Sequence, residues 1–118
     1  MIDTTRALYS FYSQFGMPAY TVNNIPDDAE LPYITYSYND ADWDIPMTHY
    51  AQVYMRTTSN IKLLSIADQI KNAIGTGKAI PCGDGFIVLH YENAQILVDT
   101  DDGVRSVYIS MQLDCLHQ

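Results

Sequence analysis

Pro32-Tyr33-Ile34-Thr35-Tyr36 and Met47-Thr48-His49-Tyr50-Ala51-Gln52-Val53-Tyr54-Met55-Arg56 are the stretches whose pattern decides the fold. In the second, Met47, His49, Ala51, Val53 and Met55 alternate with Thr48, Tyr50, Gln52, Tyr54 and Arg56. Successive side chains of an extended chain point to opposite faces, so a period of two predicts a strand with one face toward a core. Residues 33–38 repeat the pattern more briefly, with Ile34, Tyr36 and Tyr38 set against Tyr33, Thr35 and Ser37. The Asn39 to Pro46 segment between them holds Asp40, Asp42 and Asp44 around Trp43, and the whole reads as a hairpin with an acidic loop.

The period changes immediately afterwards. Thr57-Thr58-Ser59-Asn60 supplies helix-start residues, and Leu63, Ile66, Ala67, Ile70 and Ile74 recur at helical spacing before Gly75. Asp68 and Lys71 stand three apart on its outer side, placed for a weak ion pair. An earlier helix is predicted from Asp3 or Thr4 to Gly16, with Leu8, Phe11, Tyr12 and Phe15 on one face and Pro18 preventing its continuation. Ala19 to Val22 reads as a short strand. Asn23 to Pro32, with two prolines and three acids, reads as an exposed connection.

Beyond the second helix, Lys78 to Pro81 and Phe86 to Tyr91 flank a turn at Cys82-Gly83-Asp84-Gly85. Phe86-Ile87-Val88-Leu89 is apolar on both faces, which predicts a strand covered on both sides. Gln95 to Asp99 forms a separate extended piece, Thr100-Asp101-Asp102-Gly103 a turn, and Val104 to Cys115 a long last strand. In that strand Val107, Ile109, Met111, Leu113 and Cys115 share one face. The expected architecture is α+β: a mostly antiparallel sheet with two helices packed on it, in a single domain over residues 1–118.

Composition narrows the function classes. Fourteen acidic residues against six basic ones give a formal net charge of −8, which opposes tight capture of a phosphate backbone. With 47% hydrophobic and 17% charged residues, much of the surface falls to uncharged groups, and ten tyrosines against three phenylalanines and one tryptophan supply many of them. Tyrosine buries a ring while its hydroxyl stays paired or wet, which suits half-buried strands and subunit contacts alike. Cys82 and Cys115 have neither disulfide-framework nor zinc spacing and read as free thiols. The N-terminus has no charged-then-apolar leader and no apolar run approaches a membrane span, so the chain is expected to stay soluble where it is made.

No catalytic signature emerges. Gly75-Thr76-Gly77-Lys78 ends a helix instead of opening one, and Ala79 stands where a phosphate loop needs serine or threonine. Asp99, Asp101 and Asp102 break the spacing of a calcium loop. His49, His90 and His117 fall in no ligand pattern, and Cys82 has no context that marks a nucleophile. No enzyme activity, metal or cofactor is expected.

The order and spacing of these pieces carry a resemblance: the N-terminal helix, Leu31-Pro32-Tyr33-Ile34-Thr35-Tyr36, Asp42-Trp43, Arg56-Thr57-Thr58-Ser59, Ile66-Ala67-Asp68-Gln69-Ile70, and the long strand after Asp101-Asp102-Gly103. The chain resembles the tail terminator, or tail completion, proteins of long-tailed bacteriophages, the minor capsid protein type of prophages. The resemblance implies a tail-terminator-like fold in a virion protein, assembled in the bacterial cytoplasm and residing in the tail or neck. It further implies a ring, typically of six copies, that caps the head-proximal end of the tail tube and ends its polymerisation. Such a ring also offers a joining surface to the head-completion protein and lets genomic DNA pass its lumen without tight binding.

A closed ring needs two different patches of one chain that fit each other. Tyr50 and Tyr54 and an exposed strand edge are candidates for that contact. The loop bearing Asp40, Asp42, Trp43 and Asp44 and the turn bearing Asp99, Asp101 and Asp102 are candidates to line the lumen or meet a partner ring. Trp43 reads either as an interface anchor or as a lid over the helix-free end of the core. A head-completion or neck protein of the same particle, and a small intracellular peptide-binding or protein-binding module, are the competing readings.

Overall fold

The computed structural model describes residues 2–37, 46–83, 85–98 and 103–117. Helix α1 (Ile2–Tyr12) runs into a single 3-10 turn, Ser13–Phe15, and stops at Gly16, whose φ of 82° is a left-handed conformation open to glycine at little cost. Strands β1 (Ala19–Thr21), β2 (Tyr33–Tyr36) and β3 (Met47–Arg56) follow, then helix α2 (Asn60–Ile74) and strands β4 (Lys78–Cys82), β5 (Gly85–Val98) and β6 (Val104–His117). The fold is α+β, as the alternating and helical periods predict.

All six strands form one sheet in the order β1-β2-β3-β6-β5-β4. Only β1 and β2 run parallel; every other neighbouring pair is antiparallel. The odd residues of β3 oppose those of β6, Ala51 with Ile109 and Val53 with Val107, and all four are fully buried. A slip of one residue would turn this whole set to solvent, so burial itself fixes the register.

Both helices lie on one face of the sheet. α2 packs over β3, β5 and β6 through the buried Leu63, Ala67, Ile70 and Ile74. α1 touches both β1 and β4, the two outermost strands, so the twisted sheet curls around it. Leu8, Phe11 and Tyr12 fill that curl.

Three expectations are corrected. Residues 86–91 and 95–98 belong to one continuous strand with an irregularity between Tyr91 and Asn93, because both halves pair with the long β6. Phe86 and Val88 are half-buried instead of covered, since the helices pack on one face only and leave the other without a second layer. Lys71 Nζ sits 5.4 Å from the centroid of the Tyr91 ring, a cation–π placement, in place of the ion pair with Asp68.

Candidate functional site

The sheet face away from the helices is the most distinctive surface of the molecule. Alternation sends the even residues of β3 outward, and the register sets Tyr54 opposite Tyr33 and Gln52 opposite both Thr35 and Tyr108. Tyr20, Tyr33 and Tyr54 form a row across β1, β2 and β3, with centroids 5.8 and 5.4 Å apart. Tyr50 and Tyr108 stack nearly parallel at 5.1 Å. Aromatic pairs at this separation attract one another by roughly 0.5–1.5 kcal/mol beyond their burial.

Between these rings lies a polar seam. Gln52 Nε2 donates to Ser106 Oγ at 2.9 Å, and Thr35 Oγ1 reaches the Gln52 carbonyl at 3.5 Å. Thr35 is 1% exposed and Ser106 5%, although both lie on the face without helices. The tyrosines themselves cover this seam. Burial raises the Tyr54 hydroxyl above its ordinary pKa, the charges that Tyr33 and Tyr50 would carry raise it further, and a hydrogen bond with Thr35 acts the other way. The Tyr54 phenol therefore stays neutral at physiological pH. The band is flanked by Arg56 near one strand end and by the His90–Asp114 pair, 3.2 Å apart, toward the other. An uncharged, half-buried tyrosine surface of this kind suits a protein contact better than the binding of a charged ligand.

Of the predicted site residues, Tyr50 and Tyr54 share this face and join Tyr20, Tyr33 and Tyr108, which were not singled out. The signal for Tyr108 was present, since Ser106, Tyr108 and Ser110 alternate with buried residues. Asp40, Asp42, Trp43, Asp44, Asp99, Asp101 and Asp102 lie outside the described residues. The strand residues that flank them are described: Met47 pairs with Leu113 and Arg56 with Val104, so Met47 and Val104 stand at opposite ends of the β3–β6 ladder.

Sequence alone missed a second cluster, in the core beneath this face. His49, fully buried on β3, has Tyr12 Oη 2.8 Å from Nε2 and Ser37 Oγ 2.9 Å from Nδ1, and the Ser37 hydroxyl also accepts from the Tyr50 amide at 3.0 Å. Burial lowers the His49 pKa to about 3, so the ring is neutral at physiological pH. It has the partners of a reactive row but no opening to a substrate, and it fastens α1 to the sheet. Cys82 and Cys115 are free and buried thiols, and burial, first, then the neighbouring Cys82 and Asp114, raise Cys115 to about 11. A thiol so protonated is a poor nucleophile. Among the described residues no group of His, Cys, Asp and Glu could hold a metal ion, and no helix is long and apolar enough to cross a membrane.

No protein-family model and no curated protein matches the chain. Among solved structures, a chain from the virion of a native gene transfer agent particle superposes with a TM-score of 0.67 at 16% identity. The two chains share a fold. The match covers 92% of this chain and 94% of the other, so the likeness extends to the sheet and helices together.

Proposed function

We propose that the protein is a structural component of a phage-like virion that closes into a ring on the head-proximal end of the tail tube. The observation that carries this reading is the end-to-end fold match with a chain of a gene transfer agent virion. The resemblance read from the order of sequence motifs, to a tail protein of long-tailed bacteriophages, also points to a virion. Its work on this reading is geometric and requires no catalytic residue.

Three features support a ring at a joint. The uncharged tyrosine face offers a large protein-contact area. Met47 and Val104, the described residues that follow the two acidic segments in sequence, stand at opposite ends of the sheet, about 30 Å apart at roughly 3.4 Å per residue over the length of β3. One segment can meet the tube while the other meets the neck. A net charge of −8 lets DNA pass a lumen without being held.

The test is to incubate the protein with purified tail tubes of the particle that encodes it and to image the tube ends. A cap on one end, with loss of further tube growth, is the expected result. Unmodified tube ends together with binding to filled, tailless heads would instead assign the protein to the neck.

A further inference from the structure

Resting on that reading, we infer that neighbouring copies join by strand pairing, the open edge of β5 in one copy against the open edge of β1 in the next. The starting point is which backbone groups the sheet leaves unused. Tyr50 donates its amide to the Ser37 hydroxyl and its carbonyl accepts from the Ser37 amide, so the even residues of β3 face β2 and the odd ones face β6. Their partners Val107 and Ile109 therefore face β3, while Ser106, Tyr108 and Ser110 face β5. It follows that Asn93, Gln95 and Leu97 bond to β6, and that Ala94, Ile96 and Val98 turn their N–H and C=O groups away from it.

Among the described residues nothing takes up those groups, because β4 pairs only with Gly85 to Leu89. The outer half of β5 is thus an edge that ends in two exposed apolar residues, Leu97 at 40% and Val98 at 54%. Apart from Glu92 at the irregularity it carries no charge. Proteins normally blunt an edge of this kind with lysine or proline, and β4 does so: Pro81 removes an outward N–H there. β5 has no such device.

β1 offers a matching edge. Pro18 and Val22 bond to β2, so Ala19 presents both backbone groups outward and Thr21 its amide. Beside that edge a groove of about 510 Å³ runs between β1 and α1, walled by Tyr9, Ala19, Tyr20 and Tyr36 and bearing one cation, Arg6. A strand added at β1 places its helix-side residues against this groove. In β5 those are Ala94, Ile96 and Val98, the same three whose backbone is unpaired, and Glu92 supplies the charge opposite to Arg6. The two edges sit at opposite margins of the sheet and are unlike, which is what a head-to-tail ring requires.

Native mass measurement of the full chain, from micromolar to about millimolar concentration, tests this with Ala94→Pro, which removes an edge donor but no bond to β6. Wild type is expected to form multi-copy species, Ala94→Pro to lose them by tenfold or more in concentration, and Ala79→Pro on the blunted β4 edge to retain them. Arg6→Glu and Glu92→Arg are each expected to weaken assembly, and mixing the two variants to restore it, which also decides the case if the proline variant does not fold. A folded Ala94→Pro that assembles like wild type, or Val98→Cys alone cross-linking to itself across a two-fold β5 pair, overturns the inference and leaves the ring standing. A wild type that remains a single copy throughout overturns the ring and the pairing together.

Discussion

The Tyr12 hydroxyl on α1 and the His49 Nε2 on β3 lie 2.8 Å apart in the core, and their rings stack at 5.9 Å. A neutral imidazole satisfies the whole row in one direction. Ser37 donates to Nδ1, Nε2–H donates to Tyr12, and Tyr12 donates to the Met111 sulfur at 3.6 Å. The pair fixes how the first helix sits in the curl of the sheet, because a buried polar atom left without its partner is costly.

Stability should therefore fall with acid in a way that His49 governs. Its folded pKa of about 3 lies below the ordinary value of 6.5, so between these values the unfolded chain binds a proton that the native chain refuses. The contribution is fully present above pH 6.5 and is lost as pH falls toward 3, with a slope of about 1.4 kcal/mol per pH unit. Urea denaturation at a series of pH values, for wild type and His49→Gln, isolates it. Equal slopes for the two proteins between pH 6 and 4 would remove His49 from the account.

Tyr12→Phe keeps the ring that stacks on Tyr36 at 4.9 Å but deletes the oxygen that partners His49. We expect a loss of about 1–3 kcal/mol, the cost of a buried nitrogen left unpaired. Chemical denaturation measures it, and Tyr9→Phe, on the exposed side of the same helix, should stay within about 0.5 kcal/mol of wild type.

On α2 the cost of truncation should follow burial, not residue type. Leu63 is fully buried, and Leu63→Ala should cost about 2–5 kcal/mol from lost burial and the cavity left behind. Ile61, two positions earlier, is 78% exposed, and Ile61→Ala should be nearly neutral. Comparable losses at both positions would contradict the way this helix faces the sheet.

The core was legible because its signals are local and periodic. Alternation over residues 47–56 and 104–115 assigned each side chain to its observed face, and the helical spacing of Leu63, Ala67, Ile70 and Ile74 found the buried stripe of α2. The single strand 85–98 was read as two because Glu92 and Asn93 interrupt the pattern where the irregularity lies, and no local signal shows that one long partner spans both halves. The Tyr12–His49–Ser37 row was invisible for the same reason: its members are 37 and 12 residues apart and meet only through the sheet. The tyrosine face was half seen, since composition announced the tyrosines but only the register sets Tyr20, Tyr33 and Tyr54 side by side.

Trp43 remains the sharpest test of the acidic segment between β2 and β3, which lies outside the described residues. As an interface anchor, its replacement by alanine should abolish joining to purified tubes while the melting temperature stays within a degree or two. A loss of several degrees, which for a domain of this size corresponds to roughly 1 kcal/mol or more, would assign the indole to the protein's own core.

The tyrosine face separates contact from folding most directly. Tyr50 and Tyr108 cover each other on the open side of the sheet, so replacing both with serine forfeits about 0.5–1.5 kcal/mol of stacking and some half-buried area. The β3–β6 backbone ladder beneath them is untouched, because it is made by the odd residues of both strands. A folded double variant, slightly less stable, should therefore bind tube ends at least tenfold more weakly in a co-sedimentation assay if this face is the contact. Threonine at both positions, which favours strands but carries no ring, should restore stability without restoring binding. Undiminished sedimentation of either variant would mean that the rings serve only to shelter Thr35 and Ser106, and that the partner is met elsewhere on the molecule.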